Sequence, residues 1–178
     1  MLNNHLKKWS RTISCALFCS WLTGNALFAQ DINEAWVKAN YTKREEMIPM
    51  RDGAHLYTAI YEPIHSQKPS PILFTRTPYK AAPYGETMSN RLWRSWQKYA
   101  REKYIFVIQD VRGRWKSEGE FINVRPFVSE KEKNGKIDEA SDVYDTAEWL
   151  IYHTRNNNGN IGIIGSSYSG FYSLMGAL

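Results

Sequence analysis

The stretch NIGIIGSSYSGF, residues 160 to 171, passes from an apolar run into a cluster of glycine and serine. A short apolar run followed by Gly-Ser-Ser-Tyr-Ser-Gly and then "FYSLMGAL" reads as strand, sharp turn and the start of a helix. A serine hydroxyl becomes a nucleophile only when a base takes its proton and donors stabilise the oxyanion it creates. A tight turn between a buried strand and a helix lifts the hydroxyl above the sheet and points backbone N–H groups at a substrate carbonyl. Such a turn needs very small neighbours, and Gly165 and Gly170 supply them around Ser167, with Ser169 a further small residue. Ser166 fits the role poorly, because Ile164 would then hold the crowded position. The heptapeptide alone is equally compatible with a plain Gly-Ser turn, since Ser169 stands where the strict G-x-S-x-G form has glycine; the strand before it and the apolar helix after it favour the nucleophile.

Upstream, "DEASDVYDTAEWLIYHT" predicts a helix, with Asp138 or Ser141 as N-cap and Val143, Ala147, Leu150 and Ile151 on one face. Its acidic residues Asp138, Glu139, Asp142, Asp145 and Glu148 read as a solvated face that complements the helix dipole. "KYIFVIQDVRG" and "PILFTRTPY" have the near-continuous apolar character of strands covered on both faces. Between them, Met88, Leu92, Trp96 and Tyr99 recur at helical spacing. "EEMIPMRDGAHLYTAIYEP" predicts a hairpin turning at Asp52-Gly53, and residues 114–136 read as a surface loop. After the hairpin, strands and helices alternate, the order of an α/β fold with a parallel sheet.

The first 29 residues stand apart. Lys7, Lys8 and Arg11 precede the apolar "TISCALFCSWL", and "TGNALFA" leads to a small-residue cleavage site after Ala29. This is the layout of a secretory signal peptide, and it predicts an exported protein, periplasmic or secreted. Its apolar stretch, Ile13 to Leu22, is shorter than the roughly 20 residues that span a bilayer, so no membrane anchor is expected after cleavage. Both cysteines, Cys15 and Cys19, lie within it. Residues 30–44 form a lead-in, and 45–178 the domain.

The whole chain carries a net charge of +5, but without the leader 20 basic residues face 18 acidic ones. That balance gives no case for a nucleic-acid partner. His55, His65 and His153 are scattered singly, so no metal is assigned. Asp110, Arg112 and Arg114, at a strand tip, read as a salt-bridged loop sooner than as a substrate contact.

Four blocks in order, "ILFTRTPY", "FVIQDVRGRWKSEGEF", "DVYDTAEWL" and "GSSYSGF", resemble the α-amino-acid ester hydrolases, cocaine esterases and X-Pro dipeptidyl-peptidases. The resemblance implies an α/β-hydrolase fold, incomplete here, in which a Ser-Asp-His triad cleaves ester or amide acyl groups through an acyl-enzyme, without a cofactor. Small acyl esters, β-lactams or short peptides are the implied substrates. It assigns Ser167 as nucleophile, the backbone N–H of Tyr168 as one oxyanion donor and the hydroxyl of Tyr79 as the other. A phenol held at a strand end behind Pro78 is a rigid donor at the edge where such sheets place their sites.

The residues after Ser167, "YSGFYSLMGAL", include no Asp, Glu or His. In this fold the triad acid and base follow the serine. The 178 residues are therefore expected to be the N-terminal part of a larger hydrolase, inactive or nearly so alone and prone to aggregation through an open sheet edge. The competing expectation is a secreted, catalytically inactive remnant.

Overall fold

The computed structural model describes residues 31–129 and 136–178. The leader lies outside the described residues.

Helix α1 (Glu34–Asn40) is capped by Asn33, whose side chain accepts the Trp36 N–H. Strand β1 (Tyr41–Pro49) follows at once and pairs antiparallel with β2 (His55–Pro63), in register from Tyr41 opposite Pro63 to Pro49 opposite His55. The hairpin turns where expected, with Gly53 at φ +89°, a conformation open to glycine. Its first strand begins four residues earlier than the sequence suggested, inside the stretch read as a lead-in. Thr42, Lys43 and Arg44 masked the strand, but Tyr41 is buried and its hydroxyl donates to the carbonyls of Ala100 and Tyr104, each at 3.1 Å.

Strands β3 (Ser70–Thr77), β4 (Ile105–Asp110) and β5 (Asn157–Ile163) complete a sheet of order β1-β2-β4-β3-β5. β3 is parallel to β4 and to β5, whereas β2 meets β4 antiparallel. Because alternate side chains leave a strand on opposite faces, β4 feeds two cores. Phe106 and Ile108 join Tyr41, Tyr57, Leu92 and Trp96 on one side; Ile105 and Val107 join Ile48, Leu56, Phe74 and Leu150 on the other. Burial on both faces explains the continuous apolar runs of β3 and β4.

The helix expected over residues 85–102 is broken. A single 3₁₀ turn (Asn90–Trp93) is followed by the short α2 (Gln97–Arg101), because Arg94 leaves helical geometry at φ −113°, ψ −81° and the Trp96 N–H bonds back to the Arg91 carbonyl at 2.8 Å. The break lets Trp93 and Trp96 pack on one core, and Ala100 takes the buried place assigned to Tyr99.

Helix α3 (Glu139–His153) begins with a capping box in which Asp138 and Ser141 both take part. Its inner face differs from the expectation. Val143 and Leu150 are buried, but Thr146, Asp142 and Glu139 stand beside them, and Ile151 is exposed. The acidic residues at its start are not a solvated face. Arg76, fully buried on β3, binds Glu139 at 2.8 Å and Asp142 at 3.1 Å, while Arg112 binds Asp142 at 2.6 Å and Asp52 at 2.8 Å. Burial favours carboxylates only with such partners. The last helix, α4 (Tyr168–Met175), starts at the turn that carries Ser167.

Candidate active site

Ser167 joins β5 to α4 at φ +54°, ψ −125°, a backbone conformation uncommon for a residue with a side chain. Two contacts hold the turn on either side: the Ile164 N–H donates to the Phe74 carbonyl at 2.9 Å, and the Phe171 N–H donates to the Ser167 carbonyl at 3.1 Å. Of the small residues predicted from the sequence, Gly165 is required by space: a Cβ there would lie 2.1 Å from the Ser169 carbonyl oxygen, whereas one on Gly170 would stand at ordinary contact distance, 3.4 Å, from the Gly165 oxygen. The Ser167 side chain is consequently exposed at the helix start. Tyr168 is the first residue of α4, and by position its N–H has no acceptor within the helix.

Tyr79 follows β3 on a loop that reaches the same place. Its ring meets that of Tyr168 edge-on at 6.3 Å, and it is 65% exposed. Ser167, Tyr79, Thr75, Arg91, Ser95 and Trp96 line one open cleft of about 560 Å³. The three residues singled out by the sequence are thus brought together, while His55, His65 and His153 do not line the cleft.

The loop holding Tyr79 is clamped from two sides. The Pro78 carbonyl accepts from Trp115 Nε1 at 2.9 Å and from Arg114 Nε at 3.3 Å, and the Tyr79 N–H donates to Thr77 Oγ1 at 3.1 Å. Beyond Tyr79, the fully buried Asp110 accepts from the Ala81 N–H at 2.6 Å and from the Tyr84 hydroxyl at 2.7 Å. Burial raises the Asp110 carboxyl above its ordinary pKa, although the bonds from Tyr84, Ala81 and Lys116 pull the other way. Of the strand-tip residues read as a salt-bridged loop, Arg112 fits, whereas Asp110 and Arg114 instead hold the tyrosine loop.

Tyr168 is also anchored. Its hydroxyl donates to Asn123 Oδ1 and accepts the Val124 N–H at 3.0 Å. Its ring stacks on Tyr172 at 5.0 Å, and Tyr172 in turn lies against the Arg76 guanidinium at 5.5 Å. A column of rings therefore runs from the cleft to the buried ion network. The roles of Trp115 and Asn123 are not legible in the sequence, because residues 114–136 have no periodicity; a lone tryptophan in a polar stretch is the one signal.

Comparison with known proteins matches residues 52–178 to the X-Pro dipeptidyl-peptidase (S15) family. The cocaine esterase of Rhodococcus sp. (strain MB1 Bresler) is 34% identical over 135 residues, 75% of this chain and 21% of that protein. Among solved structures, an α-amino acid ester hydrolase is 35% identical with a TM-score of 0.66, covering 86% of this chain and 26% of its own. An aminopeptidase from a marine sediment archaeon, Thaumarchaeota archaeon, is 37% identical with a TM-score of 0.64, covering 76% of this chain and 23% of its own. The chain thus spans about a quarter of the length of these relatives. The match extends over most of the chain, includes the strand, turn and helix around Ser167, and agrees with the mixed sheet and its parallel centre: the chain belongs to the X-Pro dipeptidyl-peptidase (S15) family.

Proposed function

We propose that this chain carries the nucleophile and the oxyanion donors of an exported serine hydrolase that cleaves ester or amide bonds through an acyl-enzyme. The observation that carries the reading is the turn at Ser167, where a positive φ, a Gly165 with no room for a side chain and a helix start coincide. In this reading Ser167 Oγ attacks the substrate carbonyl. Negative charge then develops on the carbonyl oxygen, and the Tyr168 N–H and Tyr79 hydroxyl are the donors that receive it.

The chemistry also needs a base for the serine proton and a group to orient it. No histidine of the described residues lines the cleft, so the proposal does not extend to turnover by these 178 residues alone. Loss of triad members removes several orders of magnitude of rate. The substrates are small acyl esters, β-lactams or short peptides, with amino-acid ester hydrolysis or acyl transfer preferred and X-Pro cleavage next. Support comes from the family and from the names of the relatives.

The test is the native protein from its producing cell, treated with a fluorophosphonate that reacts only with an activated serine. A single label on the peptide containing Ser167, lost in Ser167→Ala, is the expected result. An unlabelled protein, or a label that survives Ser167→Ala, rejects the reading. The mass and N-terminal sequence of the same sample check export, which predicts a chain beginning at Gln30.

A further inference from the structure

We propose that Lys80 and Val124 are positioning residues for the oxyanion donors, each holding one of the two tyrosines through a backbone conformation that side chains disfavour; the inference rests on the hydrolase reading above. Six residues other than glycine have a positive φ among the described residues, and two of them have a local explanation. Lys103 (φ +62°) follows the C-cap of α2, where its N–H donates to the Ala100 carbonyl and that of Tyr104 to the Tyr99 carbonyl, each at 3.1 Å; this is an ordinary left-handed helix ending. Asn156 (φ +52°) is of a residue type that enters this region readily. The other four, Lys80 (+97°), Trp115 (+55°), Val124 (+49°) and Ser167 (+54°), gather around Tyr79 and Tyr168. Lys80 follows Tyr79 and Ser167 precedes Tyr168, while Trp115 binds the Pro78 carbonyl and the Val124 N–H binds the Tyr168 hydroxyl.

Neither conformation is favoured by the residue that adopts it. Lys80 lies between two fixed peptides: the Tyr79 N–H donates to Thr77 Oγ1 at 3.1 Å, and the Ala81 N–H donates to the buried Asp110 at 2.6 Å. Its ammonium rests on the rings of Tyr84 and Trp115, 4.8 and 5.5 Å from their centres, and these same residues bind Asp110 on one side of the loop and Pro78 on the other. Val124 is β-branched and 52% exposed, so burial of its side chain offsets little of the strain. Its neighbours are held instead. The Asn123 side chain accepts from the Tyr168 hydroxyl, and Arg125, 8% exposed, donates to the Glu120 carbonyl at 2.7 Å. Strained backbone persists where the surroundings over-determine it. The region open to a side chain at positive φ is small, so once the flanking bonds put Lys80 and Val124 there, the tyrosines they hold have little room to drift as charge develops on the substrate oxygen. Glycine would relieve the strain and widen that room.

The experiment places glycine at each position in the purified native protein and measures hydrolysis of a p-nitrophenyl ester, labelling by a fluorophosphonate and the urea midpoint. Lys80→Gly and Val124→Gly are each expected to lower kcat and the labelling rate by about 10-fold, with KM changed by less than about 3-fold and the urea midpoint equal or higher. Lys80→Arg keeps both the cation and the restricted backbone, and should stay within about 2-fold of the unsubstituted kcat. Lys103→Gly relieves a positive φ at a residue that does not line the cleft, and should leave kcat unchanged. Each position is judged on its own variants. An unchanged kcat in the glycine variant, equal slowing in Lys103→Gly, or a glycine variant that does not fold overturns the proposal for that position, the last because the side chain and not the backbone would then be what matters. An unsubstituted protein that takes no label at Ser167 rejects the hydrolase reading and this inference with it. A labelled protein whose labelling rate survives both glycine substitutions rejects this inference alone.

Discussion

The Trp115 indole N–H donates to the Pro78 carbonyl across 2.9 Å, fixing the peptide that immediately precedes Tyr79. A hydroxyl placed on a loop stabilises an oxyanion only if the loop does not move when charge develops. Trp115→Phe keeps the aromatic bulk and removes the donor. We expect kcat of the native protein to fall by about 5-fold with a smaller change in KM, since one hydrogen bond of about 1 kcal/mol is lost at a position that acts on the transition state. In a Tyr79→Phe background the same substitution should have almost no effect. Additive losses in the double variant would mean that Trp115 acts on something other than Tyr79.

Asp110 holds the other side of that loop. Asp110→Asn retains shape but replaces an acceptor with a donor opposite the Ala81 N–H or the Tyr84 hydroxyl. One buried group is then left unsatisfied, at a cost of about 1–3 kcal/mol. Denaturant titration should register that loss of stability. Adding Tyr84→Phe should recover part of the loss, because the amide oxygen can then accept from the Ala81 N–H with no second donor competing for it. A stability equal to the unsubstituted protein would refute the buried bonding.

Much of this site was legible beforehand, and the parts that were not share a cause. The run before Ser167, the glycines around it and the hairpin at Asp52-Gly53 are local features, set by the space at one turn or by the period of one strand. Arg76 shows the limit. In "ILFTRTPY" it reads as an ordinary polar interruption of a strand, and its meaning depends on Glu139 and Asp142, more than sixty residues away. The inner face of helix α3 is hidden for the same reason: nothing in its own residues reveals that Arg76 on β3 and Arg112 just past β4 turn its acidic side inward. The break at Arg94 likewise follows from where Trp93 and Trp96 find room, which apolar spacing cannot report.

Asp52 links the hairpin turn to Arg112 and gives the fold an acid-sensitive contact. Burial alone would raise its carboxyl pKa, but the Arg112 bonds outweigh burial and hold it below the ordinary value. A depressed folded-state pKa means that the unfolded chain binds more protons in the interval between the two values. The stabilisation is therefore complete above the unfolded value of about 3.9 and is lost as pH falls through the folded one. Asp52→Asn should cost more stability at pH 7 than at pH 3 in urea titrations. An equal cost at both pH values would contradict the ion pair.

Arg76 donates to four acceptors on three residues, with a side chain 0% exposed. Arg76→Met leaves Glu139 without its closest partner, and removing one side of a buried pair costs about 3–5 kcal/mol. Adding Glu139→Met removes the orphaned charge, so the double variant should be more stable than the single. Circular dichroism with denaturant gives both values. A double variant weaker than the single would mean that Glu139 contributes mainly through Arg125 or through its own packing.

Gly165 provides the sharpest test of the turn itself. A methyl there would stand 2.1 Å from the Ser169 carbonyl oxygen and 2.3 Å from its carbon, both backbone atoms that cannot swing aside as a flexible side chain can. Gly165→Ala must push the start of α4 away from the end of β5, shifting the Ser167 oxygen and the Tyr168 N–H together. Overpacking of this kind costs about 1–3 kcal/mol, while displacement of a nucleophile by an ångström costs on the order of 100-fold in rate. Fluorophosphonate labelling of Ser167 should therefore slow by about two orders of magnitude while the protein stays folded at 25 °C. Gly176 is a suitable control, because the three atoms nearest a Cβ there are side-chain carbons of Val143 and Ile163, each at 2.9 Å. Gly176→Ala should destabilise the protein and leave the labelling rate of the folded fraction within a few-fold. Equal slowing in both variants would assign the effect to general destabilisation and remove the special status of the turn.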